Sequence, residues 1–195
     1  ATRRAGLFGM PGSGKSNLGR VIAEGLAAHG VPFIFIDPEG SAWGIRASFD
    51  GKHPGISIPI FGGTHADVPL EAGGGMLMAE IIVSDRLSCI VDLEDFSGRE
   101  KAHFLSDMGE RLLRINREPL HLILEEADEY IPQRAYKGQE RMLGAWSSIV
   151  GRGRKKGLGA TAISTRPAKL NTDVRNLLDV LYVFRTTVTH DRKAI

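Results

Sequence analysis

Residues Gly9 to Ser16 read GMPGSGKS, which fits G-x-x-x-x-G-K-[ST] at every fixed position. The glycines Gly9, Gly12 and Gly14 let a backbone turn tightly enough for successive N–H groups to converge on a phosphate. Lys15 is placed to reach the β- and γ-phosphates of a nucleotide, and the Ser16 hydroxyl to ligate Mg²⁺. A helix starting there adds its positive N-terminal end. An apolar run, Ala5 to Phe8, precedes the motif and a helical pattern follows it, the context that separates a phosphate-binding loop from a glycine-rich turn. The expected nucleotide contacts are Gly9, Pro11, Gly12, Ser13, Gly14, Lys15, Ser16 and Asn17, with ATP and Mg²⁺ as cofactors.

A phosphate-binding loop holds phosphate but does not by itself hydrolyse it. Hydrolysis also needs an acid near the metal and a group that orients or deprotonates water. The segment Leu122 to Tyr130, LILEEADEY, offers both. Three apolar residues bury a strand, and two carboxylates emerge at its carboxyl end, where ligands bind in open parallel sheets. Glu125 is the candidate for the magnesium shell and Glu126 for the general base. A rival strand is Ile90-Val91-Asp92, with Glu94 and Asp95 close behind. A strand ending in solvated acids is the plainer alternative for either. Residues Ala160 to Pro167, ATAISTRP, end a further strand in hydroxyls and an arginine. Thr165 there is the candidate sensor of the γ-phosphate.

These residues must be held by ordinary elements. A helix is expected from about Lys15 to Ala28, with Leu18, Val21, Ile22 and Leu26 on one stripe and Gly30 as its stop. Buried strands are read at Phe33–Ile36, Ser88–Leu93, His121–Leu124, Ala160–Ser164 and Val180–Phe184. Helices are read at about Gly75–Arg86, around Phe104–Ile115, at Gly138–Val150 with Gly151 as its stop, and near Asp173–Leu178 with Asn171 or Thr172 as cap. Residues 40–75 are glycine-rich and irregular, with an alternating piece at Ile56–Phe61 and room for a small hairpin. Strands alternate with helices, so the expected fold is α/β, a mostly parallel sheet flanked by helices on both faces, in one domain over residues 1–195.

Composition sets bounds. Hydrophobic content is 42% and charged content 25%, which excludes a disordered chain and fits a folded core. No apolar run is long enough to cross a membrane. No signal-peptide pattern is visible, and Ala1 suggests a processed or trimmed start. Cys89 is the only cysteine, which rules out an internal disulfide and fits a cytoplasmic setting. The net charge of +2 hides an asymmetry: Arg134 to Arg175 hold ten Lys/Arg against two Asp/Glu, and Arg152, Arg154, Lys155 and Lys156 crowd together. Such a cluster is either a solvated face or a surface for an anionic partner.

The ordered combination resembles a family. The phosphate-binding loop is followed by a strand ending in Asp-Pro-Glu-Gly (Asp37 to Gly40), then Leu-Glu-Glu-Ala (Leu124 to Ala127). Gly-Arg-Lys-Lys-Gly-Leu-Gly (Gly153 to Gly159) and Ser-Thr-Arg-Pro (Ser164 to Pro167) complete the series. This is similar to the HerA/FtsK superfamily of additional-strand P-loop ATPases, closer to the HerA branch, over Arg4 to about Lys193. The resemblance implies a RecA-like core, a homo-oligomer (usually a hexameric ring), and movement along or packaging of duplex DNA. It also implies a nucleotide between subunits, completed by a neighbour's arginine, for which Arg152, Arg154 and, less favoured, Arg166 are the candidates. Two positions depart from the family pattern: Glu125 stands where Asp is common, and Thr165 where Gln is common. The accessory domains of longer HerA proteins have no counterpart in these residues. Two other functions stay open: a regulatory ring ATPase of a defence or conjugation complex, and a small-molecule kinase.

Overall fold

The computed structural model describes residues 2–48 and 50–195; Ala1, and Phe49 within the irregular region, lie outside the described residues. Seven strands form one sheet: β1 (Arg4–Phe8), β2 (Phe33–Asp37), β3 (Ile60–Phe61), β4 (Cys89–Asp92), β5 (Leu120–Leu124), β6 (Leu158–Ser164) and β7 (Val180–Val183). Their spatial order is β3-β4-β2-β5-β6-β1-β7. Every pairing is parallel. The helices are α1 (Lys15–Ala28), α2 (Gly75–Asp85), α3 (Gly98–Ile115), α4 (Glu140–Arg152), α5 (Thr172–Asn176) and α6 (Thr189–Ala194).

Parallel strands buried on both sides read as near-continuous apolar runs, and β2, β4, β5 and β6 are buried throughout. Alternate residues serve opposite faces. Phe33, Phe35, Ile90, Ile123 and Ile163 pack with Ala23 of α1 on one side. Ile34, Ile36, Val91, Leu122, Leu124 and Ala162 pack on the other with side chains of α2, α3 and α4. The second layer is pinned by Trp146 of α4, fully buried, whose indole N–H donates to the Leu105 carbonyl of α3 at 2.9 Å. A mostly parallel sheet with helices on both faces is therefore the observed architecture.

Most element bounds shift by a residue or two, and some differences are larger. The helix expected to stop at Gly151 continues to Arg152 and tightens into a 3₁₀ turn over Gly153–Lys156. The left-handed stop is at Gly157, with φ of 80°. The alternating piece at Ile56–Phe61 is strand only at Ile60–Phe61, pairing parallel with β4. The room for a hairpin reduces to one antiparallel bridge, Ala47 with Pro54. Helix α6 follows no apolar periodicity that the sequence displays; its Asp191 is buried and accepts the Ala168 N–H at 3.1 Å.

Each α-helical connection returns the chain to the same end of the sheet. All carboxyl ends of the strands thus share one edge, and all amino ends the other.

Candidate functional site

At the carboxyl end of β1 the chain turns through Gly9–Gly14 into α1. Gly14 has φ of 100°, in the left-handed region that admits glycine without a Cβ clash. Gly9 is required by space: a Cβ there would lie 2.6 Å from the Cβ of Phe184. The loop is braced from the β7 side, where the Met10 N–H donates to the Arg185 carbonyl at 2.8 Å. Lys15, 4% exposed, folds back and donates to the Met10 carbonyl at 3.1 Å. Burial lowers its pKa, partly offset by Glu126 and Glu125. A phosphate there would take the ammonium in place of a single neutral carbonyl.

The two candidate acidic strands separate cleanly. Strand β5 lies two places from β1 and β4 lies four places from it. At roughly 4.8 Å per strand, Asp92 is roughly 10 Å further from the phosphate loop than Glu125. Ser16 Oγ donates to Glu125 Oε1 at 2.5 Å. Glu125 is 4% exposed, and its other oxygen, Oε2, is buried without a hydrogen-bond partner. Burial is the main cause that lifts its pKa to about 7, with the Ser16 hydrogen bond opposing and Asp37 and Glu126 adding.

A buried carboxylate oxygen without a donor, beside a serine hydroxyl on the phosphate loop, fits a divalent cation. Among the described residues no group of three or more His, Cys, Asp or Glu could hold a metal by itself. Mg²⁺ characteristically binds through one or two protein oxygens plus phosphates and water. Asp92 instead sits against the Gly63 backbone, accepts the Glu94 N–H at 2.9 Å, and has its pKa raised to about 6, chiefly by burial.

Glu126 follows at the end of β5 in a left-handed conformation, φ 44°, unusual for a residue with a side chain. Its Oε2 accepts the Thr165 hydroxyl at 3.0 Å and lies 3.4 Å from the Thr165 N–H. Burial raises its pKa, against the Thr165 hydrogen bond. Thr165, the candidate sensor of the γ-phosphate, is thus hydrogen-bonded to the candidate base. One residue earlier, the Ser164 hydroxyl donates to Asp128 at 2.6 Å and accepts the Arg166 N–H at 3.0 Å. Asp128 gave no signal in the sequence beyond its place in an acidic run. Tyr130, fully buried, donates its hydroxyl to the Glu125 carbonyl and so ties the turn to the strand end. Beside Glu126, on the face away from α1, opens a cleft of about 1040 Å³ whose walls include Pro11, Glu39, Thr165, Arg134 and Arg166.

Lys15, Ser16, Glu125, Glu126 and Thr165 are therefore brought together. Arg152 and Arg154 are not. They lie where α4 ends and β6 begins, at the amino edge. The seven-residue β6 separates them from Thr165 by roughly 20 Å. Of the three candidate arginines only Arg166 is at the carboxyl edge.

Residues 1–41, which hold the phosphate loop and β2, match the family model described as the central domain of the helicase HerA. That match covers the phosphate loop and its flanking strands, so the similarity to the HerA family is local to the amino-terminal 41 residues. Solved structures extend the likeness in fold to the whole length. The genome packaging NTPase B204 from Sulfolobus turreted icosahedral virus 2, in complex with sulfate, superposes with a TM-score of 0.64 at 18% identity, over 100% of this chain and 79% of that one. The pCW3 conjugation coupling protein TcpA with ATPγS gives 0.58 at 16% identity, over 100% of this chain and 52% of that one. A chain of the HORMA:CdnC:Trip13 complex of E. coli MS115-1 gives 0.51 at 13% identity, over 98% and 51%. No curated protein sequence matches. The seven-stranded parallel sheet therefore shares its fold with these solved structures, the packaging NTPase among them. Among the described residues, no helix is long and apolar enough to cross a membrane.

Proposed function

We propose that this domain hydrolyses ATP with Mg²⁺ and couples hydrolysis to duplex DNA, as the motor of a translocating or packaging ring. One observation carries the reading. The phosphate-loop serine meets a buried acid, Glu125, while the next residue, Glu126, adopts a left-handed backbone and lines the adjacent cleft. Bound Mg²⁺ would supply charge neutralisation on the phosphates, held by Ser16 and, directly or through water, by Glu125. Lys15 supplies a buried cation for the β- and γ-phosphates. Glu126 accepts a proton from the attacking water through Oε1, the oxygen Thr165 does not use. Gly9 to Asn17 wrap the phosphates.

The kinase alternative requires a second substrate site facing the γ-phosphate and a base serving its hydroxyl. The pairing of a magnesium acid with an adjacent base favours water as acceptor. The likeness in fold to a genome packaging NTPase and a conjugation coupling protein supports the motor reading over that alternative. The surface proposed for DNA is the exposed group Arg152, Arg154 and Lys155 with Lys156 behind it. Contacts to phosphates alone give little sequence preference. The proposed assembly is a homo-oligomeric ring in the cytoplasm, with the nucleotide at the subunit boundary.

The test is phosphate release with and without duplex DNA, on a sample whose solution mass is known. Mg²⁺-dependent release that rises with duplex DNA supports the motor. Release indifferent to DNA moves the domain to the regulatory-ring reading, and phosphorylation of an added acceptor moves it to the kinases.

A further inference from the structure

We propose that Thr165 is a positioning residue for Glu126, fixing the carboxylate by a side-chain hydrogen bond rather than sensing the γ-phosphate. The inference rests on the reading of Glu126 as the general base. Thr165 stands first after β6, and Glu126 second after β5, on adjacent strands. The threonine offers its hydroxyl at 3.0 Å and its N–H at 3.4 Å to one carboxylate oxygen, Oε2. Both donors therefore converge on the same atom. The carboxylate is thereby anchored through Oε2 at the wall of the cleft that Glu126 lines, and Oε1 is assigned to the attacking water.

The backbone explains why such a restraint is needed. Glu126 is held at φ of 44°, where a side-chain-bearing residue persists only if its surroundings over-determine it. A glutamate has three side-chain torsions, and this one borders a cleft of about 1040 Å³. An unrestrained carboxylate there would sample many positions, and a base that is misplaced by an ångström loses rate steeply. Thr165 itself is held by its neighbours. Ser164 is fully buried and hydrogen-bonded to Asp128, and Pro167 is buried behind it. Glu126 is thus tied to β6, whose next contacts are to β1 and the phosphate loop. The Gly9 N–H lies 3.4 Å from the Ser164 carbonyl, so the loop and the base share a support.

The experiment compares Thr165→Val, which keeps the branched shape and loses the donor, with Thr165→Ser, which keeps the donor. Each is made in the wild-type chain and in Glu126→Gln. Binding of MgATPγS is measured beside steady-state hydrolysis. The expected result is a roughly 10–100-fold fall in kcat for Thr165→Val, the range for a hydrogen bond to a charged group. ATP KM and ATPγS affinity stay within about twofold, and Thr165→Ser restores most of the rate. In the Glu126→Gln background the valine costs no further rate, because the base it positions is gone.

Unchanged hydrolysis by Thr165→Val overturns the inference. So does an equal loss in the Glu126→Gln background, which places the hydroxyl on the nucleotide. A fall in ATPγS affinity matching the fall in rate does the same. Failure of the underlying reading looks different: Glu126→Gln would itself hydrolyse ATP at the wild-type rate, whatever is done to Thr165.

Discussion

At the carboxyl edge of the sheet, Glu125 is 4% exposed and Asp92 2%, and burial raises the pKa of each. At the amino edge, Arg152, Arg154 and Lys155 are exposed, and the local structure serves them little. Arg152 reaches back one helical turn to the Ser148 hydroxyl at 2.9 Å. Asn116 holds the Glu118 and Lys156 carbonyls at 2.7 and 2.5 Å, so the turn is fixed while its cations stay in water. One edge stores charge where water is scarce, which is costly and chemically useful. The other displays charge where water is plentiful, which costs little and attracts anions at a distance. The lesson is that the same α/β repeat keeps the two apart by one strand length. A residue's place before or after its strand decides which task it can have.

That separation holds within one chain, and the largest expected effect comes from breaking it between chains. If a neighbour's amino edge reaches this carboxyl edge, Arg152 or Arg154 completes the site, with roughly 10³–10⁵-fold on rate. Arg154→Ala alone and Lys15→Ala alone are then both inactive, and mixing them recovers partial activity. Recovery with Arg166→Ala in place of Arg154→Ala assigns the finger to the carboxyl edge and leaves the amino edge to DNA. A fully active Arg154→Ala, or hydrolysis by a strict monomer, removes the shared site for Arg154.

Within the carboxyl edge, Glu126→Gln is expected to bind ATP and turn over roughly 10²–10⁴-fold slower. Lys15→Ala is expected to weaken binding as well as turnover. Asp92→Asn should hydrolyse near the wild-type rate, since β4 is two strands beyond β5. A dead Asp92→Asn beside an active Glu126→Gln would transfer the chemistry to β4.

The amino edge is tested through salt. DNA affinity should fall with salt, and each phosphate contact removed should lower the log–log slope by about 0.9 for a duplex. Arg154→Ala with Lys155→Ala is therefore expected to lower it by roughly 1–2 units without changing hydrolysis measured in the absence of DNA, provided Arg166 is the finger. Binding that is absent at low salt, or indifferent to salt, returns these side chains to a solvated face.

Much of this was legible in the chain because local rules coincide with tertiary need. GMPGSGKS encodes its turn in glycines, and the buried strands announce themselves as continuous apolar runs. Asn171 caps α5 by accepting the Asp173 and Val174 N–H groups at 3.1 and 3.2 Å, a role its residue type foretells. What the chain hides is lateral order. Ile90-Val91-Asp92 and Ile123-Leu124-Glu125 are equivalent as strings, and only their distance from β1 separates them. The arginines after α4 stood near the sensor strand in sequence yet lie at its far end in space. Thr165 could be read as a polar strand terminus, but its partner, Glu126, is 39 residues away and met only through sheet pairing. Residues 40–75 are irregular by composition, and the one strand there, β3, is two residues long and pairs with β4 alone among the strands.

The smallest effect concerns the acid that the chemistry leaves aside. Asp92 has its pKa raised from 3.8 to about 6, with burial the largest cause. A raised carboxyl pKa means the folded state holds a proton that the unfolded state has already released. Between about pH 4 and 6 the folded chain binds more protons, so stability falls as pH rises through that window and stays lower above it. The full shift corresponds to about 3 kcal/mol, and a carboxylate that water can still approach realises roughly 1–3 kcal/mol. Asp92→Asn keeps an oxygen for the Glu94 N–H and has no proton to lose. Its thermal midpoint should therefore gain on the wild type as pH rises from 4 to 7, by roughly 2–4 °C per kcal/mol in a chain of this size. Glu125 titrates in both chains and cancels in the difference. Parallel melting curves across that range would show that Asp92 is charged in the folded state at no cost. The carboxyl edge would then be more open to water at β4 than its burial indicates.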